Sequence, residues 1–396
     1  MAVGDIYKLH LESIAPGGDA LGRLEGKPVF VEMGAPRETV LCHIAEDRNT
    51  WARAELLEVI EPSVDRVNAV CAFYGKCGGC NLQHIDYNAQ IAAKVSILKD
   101  SFLRIGGFSA PEPEVFTSPP YAYRNRMQFH CLRQAAKIEH DIKFGLMGRR
   151  SGEIISVSDC PVAVSGIREL IKDRKIALPV QKDRFTVFVK DDVFLSEGSR
   201  QRGKIKLLEK EIQADAGVFF QSNCFMLEKL ILELIKTAQR ADSGLPMADL
   251  YCGVGTFALF LGDMFPKIYL AEENKAAVSL ARENLRGKDA EFFALRDTDW
   301  QKNLLRREAA FGFTVVDPPR SGLASGLATA LAQNTPRFSQ KNAPLLAYVS
   351  CDPSALARDS KILVNGGYAL KELKLFDFYP QTAHIESLAV FEKNTD

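Results

Sequence analysis

The sequence has no excess of either charge: 50 Lys and Arg balance 50 Asp and Glu. No global field therefore advertises a polyanion, and any nucleic-acid contact has to use local basic patches. It also has no apolar run near the ~18 residues of a membrane span. Its first residues, MAVGDIYKLHLES, lack a signal-peptide hydrophobic segment. The expectation is a cytoplasmic protein without membrane contact. Disulfides are rare in that compartment, so the nine cysteines point first to metal or catalytic roles. What is present is ordinary: 396 residues, 46% hydrophobic and 25% charged. At about 150 residues per domain, that is material for two or three domains.

One stretch organises the chain. Leu345-Leu-Ala-Tyr-Val349 reads as a buried strand that stops at Ser350-Cys351-Asp352-Pro353. Open α/β sheets gather ligands at the carboxyl ends of their strands. Cys351 stands where a nucleophile is useful.

Residues 1–60 alternate like short strands broken by glycine turns and predict a small β-barrel. Small barrels of the oligonucleotide-binding type hold RNA, and a purely structural barrel fits the pattern equally. Residues 61–215 form a central region. It opens with Cys71, Cys77 and Cys80, spaced C-x5-C-x2-C with glycines between them. Glycine lets a backbone wrap closely and turn its amides toward sulfur. Cys160, followed by Pro161, is the best fourth ligand. Four thiolates suit an iron–sulfur cluster or structural zinc. The spacing departs from the C-x3-C-x2-C of radical S-adenosylmethionine enzymes. Residues 86–107 read as a helix with Ile91, Val95, Leu98, Phe102 and Leu103 on its apolar face, stopped by Gly106-Gly107. Residues 121–150 interleave basic and aromatic side chains, among them Tyr123, Arg124, Arg126, Arg149 and Arg150. Such a surface suits phosphate contact with base stacking, or is a solvated face.

Residues 216–396 alternate strands and helices, which predicts an α/β, Rossmann-like, doubly wound sheet. Asp249-Leu-Tyr251-Cys-Gly253-Val-Gly255 follows one strand, and Glu272 ends the next. A glycine loop with an acidic residue about 20 positions on accepts an adenosine-containing cofactor. The third glycine of the phosphate fingerprint is replaced by Ala258 and no basic residue follows, which favours a cofactor without a pyrophosphate. Asp317-Pro-Pro-Arg320 ends a further strand; an aromatic residue in place of Arg320 would have suited amino-group methylation. Cys351 and Glu386, in His384-Ile-Glu386, supply a nucleophile and a base. That pair suits addition and elimination on a pyrimidine.

Taken together, the chain resembles the RNA 5-methyluridine methyltransferase family (the RumA/TrmA class). It is most similar to the branch with an N-terminal TRAM barrel and a four-cysteine iron–sulfur site. The resemblance spans essentially the whole chain. It rests on the four cysteines, Phe219-Phe-Gln221-Ser-Asn223, the 249–255 loop, Asp317-Pro-Pro-Arg-Ser-Gly322, Ser350-Cys351-Asp-Pro353 and His384-Ile-Glu386. It implies S-adenosylmethionine-dependent methylation of uracil C5 in RNA, 23S ribosomal RNA before transfer RNA; the rival from another class is a non-catalytic RNA-binding protein with a vestigial pocket. It implies Cys351 as nucleophile and Glu386 as base. Gln221, Tyr251, Glu272 and Asp317 match cofactor-pocket positions, and Phe219 stands near the target base. Cys71, Cys77, Cys80 and Cys160 would hold a [4Fe–4S] cluster. The stretch 83–116 would return to the catalytic domain. A monomer is the default expectation. Thr256 departs from the Asn common after Gly255, and Ala294-Leu295-Arg296 lacks the acidic residue some methyltransferases place near the adenine amine.

Overall fold

The computed structural model describes residues 1–132, 143–173, 176, 182–303, 311–333 and 343–394. The chain opens with a closed barrel of five strands, Ile6–Ile14, Ala20–Leu24, Lys27–Glu32, Thr39–Asp47 and Ala52–Glu61. Alternate residues point inward along each strand, so Leu9, Leu11, Val29, Val31, Val40, Cys42 and Ile44 fill the interior. Closure leaves no edge exposed to another chain. Positive backbone φ at Gly17 and Gly18 turns the first strand back on the second.

The central region is built on a five-stranded sheet that includes Arg126–Leu132, Lys143–Met147 and Arg184–Lys190. Its core is aromatic: Phe129, Phe144 and Phe185 pack with centroids 5.4–5.6 Å apart.

An eight-stranded sheet dominates the rest. In spatial order it runs Ala290–Ala294, Ile268–Glu272, Met247–Leu250, Phe313–Val316, Leu345–Ser350, Glu386–Lys393, Tyr368–Phe376 and Glu114–Phe116. The first five are parallel, and Glu386–Lys393 runs antiparallel to both its neighbours. Both faces are buried, as a parallel sheet requires. Leu250, Val316, Leu346 and Tyr348 enter one core, while Met247, Val315, Leu345 and Ala347 enter the other. Strand Glu114–Phe116 pairs with Tyr368–Phe376, so a segment from the first third of the chain completes a sheet made by the last third.

The helix read over 86–107 is α-helical over Tyr87–Ser101, then a π turn over Phe102–Gly106, and ends at Gly107 with φ 78°. Its buried face is only in part the apolar one expected: Leu98 and Phe102 are fully buried, and Ile91 and Val95 are half-buried. Leu103 is exposed, whereas Gln90 and Lys94 are buried with Ile97 and Leu98. Gln90 and Lys94 stand four residues apart on one face. They point inward because buried acceptors await them, which apolar periodicity does not report. Among the described residues no helix is long and apolar enough to cross a membrane.

Candidate active site

The site is assembled by strand register. Leu250 pairs with Val316 and with Ala271 in parallel ladders, so one step further Tyr251, Asp317 and Glu272 emerge side by side. Ser350 pairs with Ser387 in an antiparallel ladder, so the next step sets Cys351 opposite Glu386. All five residues stand at the ends of strands, where the parallel sheet opens into a crevice. Together with Gln221 they line one cavity of about 640 Å³. That lies within the usual range for small-molecule sites.

At one end the backbone of the 251–255 loop is bent. Tyr251 takes φ 61°, rare for a side chain of that size, and Gly253 takes φ 54°. A Cβ added at Gly253 would meet nothing within 4 Å, so this face of the loop is open to a ligand. At Gly255 a Cβ would press on Leu285 and Ala281, so that glycine serves packing. Glu272 accepts from the amides of Gly253 (3.2 Å) and Asn274 (2.8 Å). Its carboxylate is thereby fixed at the cavity edge. Tyr251 packs edge-on to Trp300 with centroids 4.4 Å apart and hydrogen-bonds Asp297 at 3.3 Å. Asp297 also lines the cavity. It was missed because it starts a helix three residues past its strand. It brings an acidic group to the cavity one residue past the 294–296 stretch.

At the other end stand Cys351, Asp317 and Glu386 with Tyr379, His384 and Arg320. Asp352 caps the following helix, Pro353–Asn365, accepting from the Ala355 amide at 2.8 Å. That cap ends the strand abruptly and fixes the thiol at the turn. Burial pushes the Cys351 thiol up to about 12, with the carboxyls of Glu386 and Asp317 adding to the shift and Arg320 opposing it. Burial likewise lifts Asp317 to about 7, against a hydrogen bond from Gln221. It lifts Glu386 well above the carboxylate range, with Asp317 adding to it. Two carboxyls this close in a dry site do not both ionise readily. His384 is held neutral, lowered to about 4 by burial and then by Arg320 and Arg124. Its Nδ1 lies 3.3 Å from Arg320 Nη2.

Arg124 and Arg320 line the cavity, and Arg126 stands beside it against Phe219. Arg124, Arg126 and Arg320 make no ion pair with a carboxylate among the described residues. The Arg126 guanidinium lies 5.7 Å from the ring centroid of Phe219, which is 60% exposed despite its size. Other members of the basic stretch have different roles. Arg149 and Arg150 pair with Asp19 and Glu32 and so clamp the central region to the barrel. Tyr123 is core, its hydroxyl donating to the Pro380 carbonyl at 2.8 Å.

Cys71, Cys77, Cys80 and Cys160 line a second cavity of about 440 Å³. All four are free thiols. Burial pushes Cys80 up to about 11 and Cys160 to about 12. The Gly79 amide points at Cys77 Sγ, 3.4 Å away. Among the described residues no three His, Cys, Asp or Glu side chains converge as a single ion requires. The four thiols thus border one volume without converging on a common centre. Arg124 lines both cavities.

Comparison with known proteins agrees with this geometry. Residues 200–394 match the family model described as tRNA (Uracil-5-)-methyltransferase. An RNA methyltransferase of Aquifex aeolicus is 32% identical, the match covering 97% of this chain and 98% of the relative. The 23S rRNA (uracil(1939)-C(5))-methyltransferase RlmD of Pseudomonas entomophila is 28% identical over 98% of this chain and 94% of its own. The Pyrococcus abyssi tRNA (uracil-54, C5)-methyltransferase, solved with S-adenosyl-L-homocysteine, shares the fold. Its TM-score is 0.70 at 23% identity, over 97% of this chain and all of that one. A cofactor loop, a thiol facing a carboxyl across one ladder and a relative matched end to end lead to one conclusion: the chain belongs to the RNA uracil-5-methyltransferase family of the RumA/TrmA class.

Proposed function

We propose that the protein methylates C5 of a uridine in 23S ribosomal RNA, in the cytoplasm, with Cys351 as nucleophile and Glu386 as general base. The observation that carries this is the ladder register placing Cys351 opposite Glu386 in the cavity that Glu272 and Gly253 close. Uracil C5 is a weak nucleophile. Addition of the Cys351 thiolate at C6 moves the C5=C6 electrons onto C5 and the adjoining carbonyl. C5 then forms its bond to the methyl group. Glu386 removes the C5 proton, the C5–H electrons restore the C5=C6 bond, and the C6–S bond breaks to release the thiolate. S-adenosylmethionine would supply the methyl group as an electrophile, its sulfur keeping the electron pair of the S–CH3 bond that breaks. Gln221, Tyr251, Glu272 and Asp317 would hold it, and the open face of Gly253 leaves room for it.

The target base has to leave its stack to reach Cys351, at a cost of a few kcal/mol. Phe219 and Arg126 offer a stacking surface at the mouth, and Arg124 and Arg320 offer charge for phosphate. The barrel adds a second RNA contact. Cys71, Cys77, Cys80 and Cys160 would hold a [4Fe–4S] cluster, which would cross-link four points of the central region.

The ribosomal substrate is supported by the RlmD relatives. A transfer RNA substrate is the second reading, supported by the fold shared with the Pyrococcus enzyme. Labelled methyl transfer to unmodified 23S ribosomal RNA and to unmodified transfer RNA separates them. Label recovered as 5-methyluridine in ribosomal RNA alone is the expected result. Label in transfer RNA alone keeps the chemistry and replaces the substrate; label in neither overturns the reading.

A further inference from the structure

Residues 377–385 connect the strands Tyr368–Phe376 and Glu386–Lys393 and carry Tyr379 and His384 into the reaction cavity. The next residue is Glu386. Connections without regular structure are ordinarily exposed and mobile. This one is buried except at the half-buried Tyr379 and Ala383 and the exposed His384, and much of its backbone is held by specific hydrogen bonds.

Four successive carbonyls each receive a donor from a different part of the chain. Asn223 Nδ2 donates to Phe378 O at 3.1 Å, and Lys94 Nζ to Tyr379 O at 3.1 Å. The Tyr123 hydroxyl donates to Pro380 O at 2.8 Å. The amides of Asn81 and Leu82 donate to Gln381 O at 3.1 and 3.0 Å. Gln381 itself has φ 68°, a left-handed conformation that needs support in a residue other than glycine. Gln90 supplies it through reciprocal bonds to the Gln381 side chain and amide, both 3.0 Å.

Two of these contacts have no packing rationale. Lys94 is 1% exposed and pairs with Asp377 Oδ1 at 2.6 Å, while Tyr87 donates to Asp377 Oδ2 at 2.7 Å. A buried ion pair gains little stability, because desolvation offsets its attraction; its value is that it selects one geometry. Asn81 Oδ1 accepts from the Ala383 amide at 2.9 Å, and its Nδ2 donates to the barrel at Gly17 O, 2.6 Å away. Asn81 directly follows Cys80.

We infer that Lys94 and Asn81 are positioning residues for the base: they fix the 377–385 connection so that Glu386 reaches the C5 proton. Through Asn81, that placement is tied to the four-cysteine segment. This rests on the reading of Glu386 as the base. It also assigns the cysteine segment a mechanical role in catalysis at a separate cavity.

The consequence is specific to one step. Thiolate addition and methyl transfer do not use Glu386; proton removal does. A displaced base therefore lets methyl transfer occur but leaves RNA joined to Cys351. The test uses the full chain, the unmodified RNA that accepts methyl and labelled S-adenosylmethionine, with protein–RNA adduct measured on denaturing gels. Asn81→Leu is expected to form labelled adduct at the wild-type rate and to release methylated RNA about 10²-fold more slowly, the usual result of a small misplacement. Asn81→Asp keeps the acceptor for Ala383 and is expected to release RNA within a few-fold of wild type. Lys94→Met is expected to behave as Asn81→Leu; if it fails to fold, the two Asn81 variants still decide. Glu386→Gln is the reference. If it accumulates labelled adduct and Asn81→Leu, folded, releases RNA normally or loses addition and release in equal proportion, the positioning role is overturned. If Glu386→Gln accumulates none, the base assignment itself falls.

Discussion

The two cysteine-lined cavities use the same side chain under the same stress and come to different ends. In both, burial pushes thiols far above their ordinary value, to about 12 at Cys160 and about 12 at Cys351. In the central region four thiols surround one volume. In the reaction cavity a single thiol faces the carboxyls of Asp317 and Glu386, which make its ionisation harder still. A thiol in either place needs positive charge to become a thiolate. For the four together, the proposed cluster would supply it. One beside two carboxyls calls for transient help, from Arg320 and from an arriving cationic cofactor. Neighbours, and not the cysteine, set the function.

The sharpest way to break this contrast is to exchange the demands on the two sites. Cys351→Ala should lower kcat by about 10⁴-fold or more while RNA binding persists, measured by methyl transfer beside a filter-binding assay. Cys160→Ala should do the reverse in kind. Iron content and visible absorbance should be lost, while residual methylation stays well above that of Cys351→Ala. Equal losses in the two variants would show that the cavities do not divide the work as described.

Acidity offers a second contrast. Burial raises both groups proposed to react, the Cys351 thiol to about 12 and the Glu386 carboxyl well above the carboxylate range, so the free protein favours the protonated form of each. The proposed reaction uses the thiolate and the carboxylate. The rate of methyl transfer should therefore climb with pH between about 6 and 9, by up to about tenfold per unit where one ionisation limits. A flat profile would mean that bound cofactor or RNA has already ionised both.

The smallest effect concerns stability. Asp317 in the folded protein is raised to about 7, so the folded state binds more protons than the unfolded state between about pH 4 and 7. Its favourable contribution is complete below the unfolded value and is lost as pH rises through the folded one. Asp317→Asn should thus stabilise the free protein by about 1–3 kcal/mol at pH 8 and change little at pH 4. Thermal melts at the two pH values measure this. The same variant should lose methylation.

Much of the site was legible because its residues sit at strand ends marked by punctuation. Asp317-Pro-Pro, Cys351-Asp-Pro and the Gly253–Gly255 loop each interrupt an apolar run. Asp297, Tyr379 and Arg124 were not assigned to the cavity, because nothing local distinguishes them from a helix start, a loop aromatic and a surface arginine. Their roles depend on which strands are neighbours. The burial of Gln90 and Lys94 was missed for the same reason: two of their acceptors, Gln381 and Asp377, come from the far end of the chain.

The sequence by itself determined the strands, the punctuation at their ends and the residue types able to add to a pyrimidine, since these depend on spacing of two to four residues. Only the tertiary structure decided that Cys351 faces Glu386, that four cysteines surround one volume and that Lys94 holds the connection leading to the base. Those facts are set by ladder register and long-range hydrogen bonds. A slip of one residue would turn every side chain to the other face without altering the local pattern.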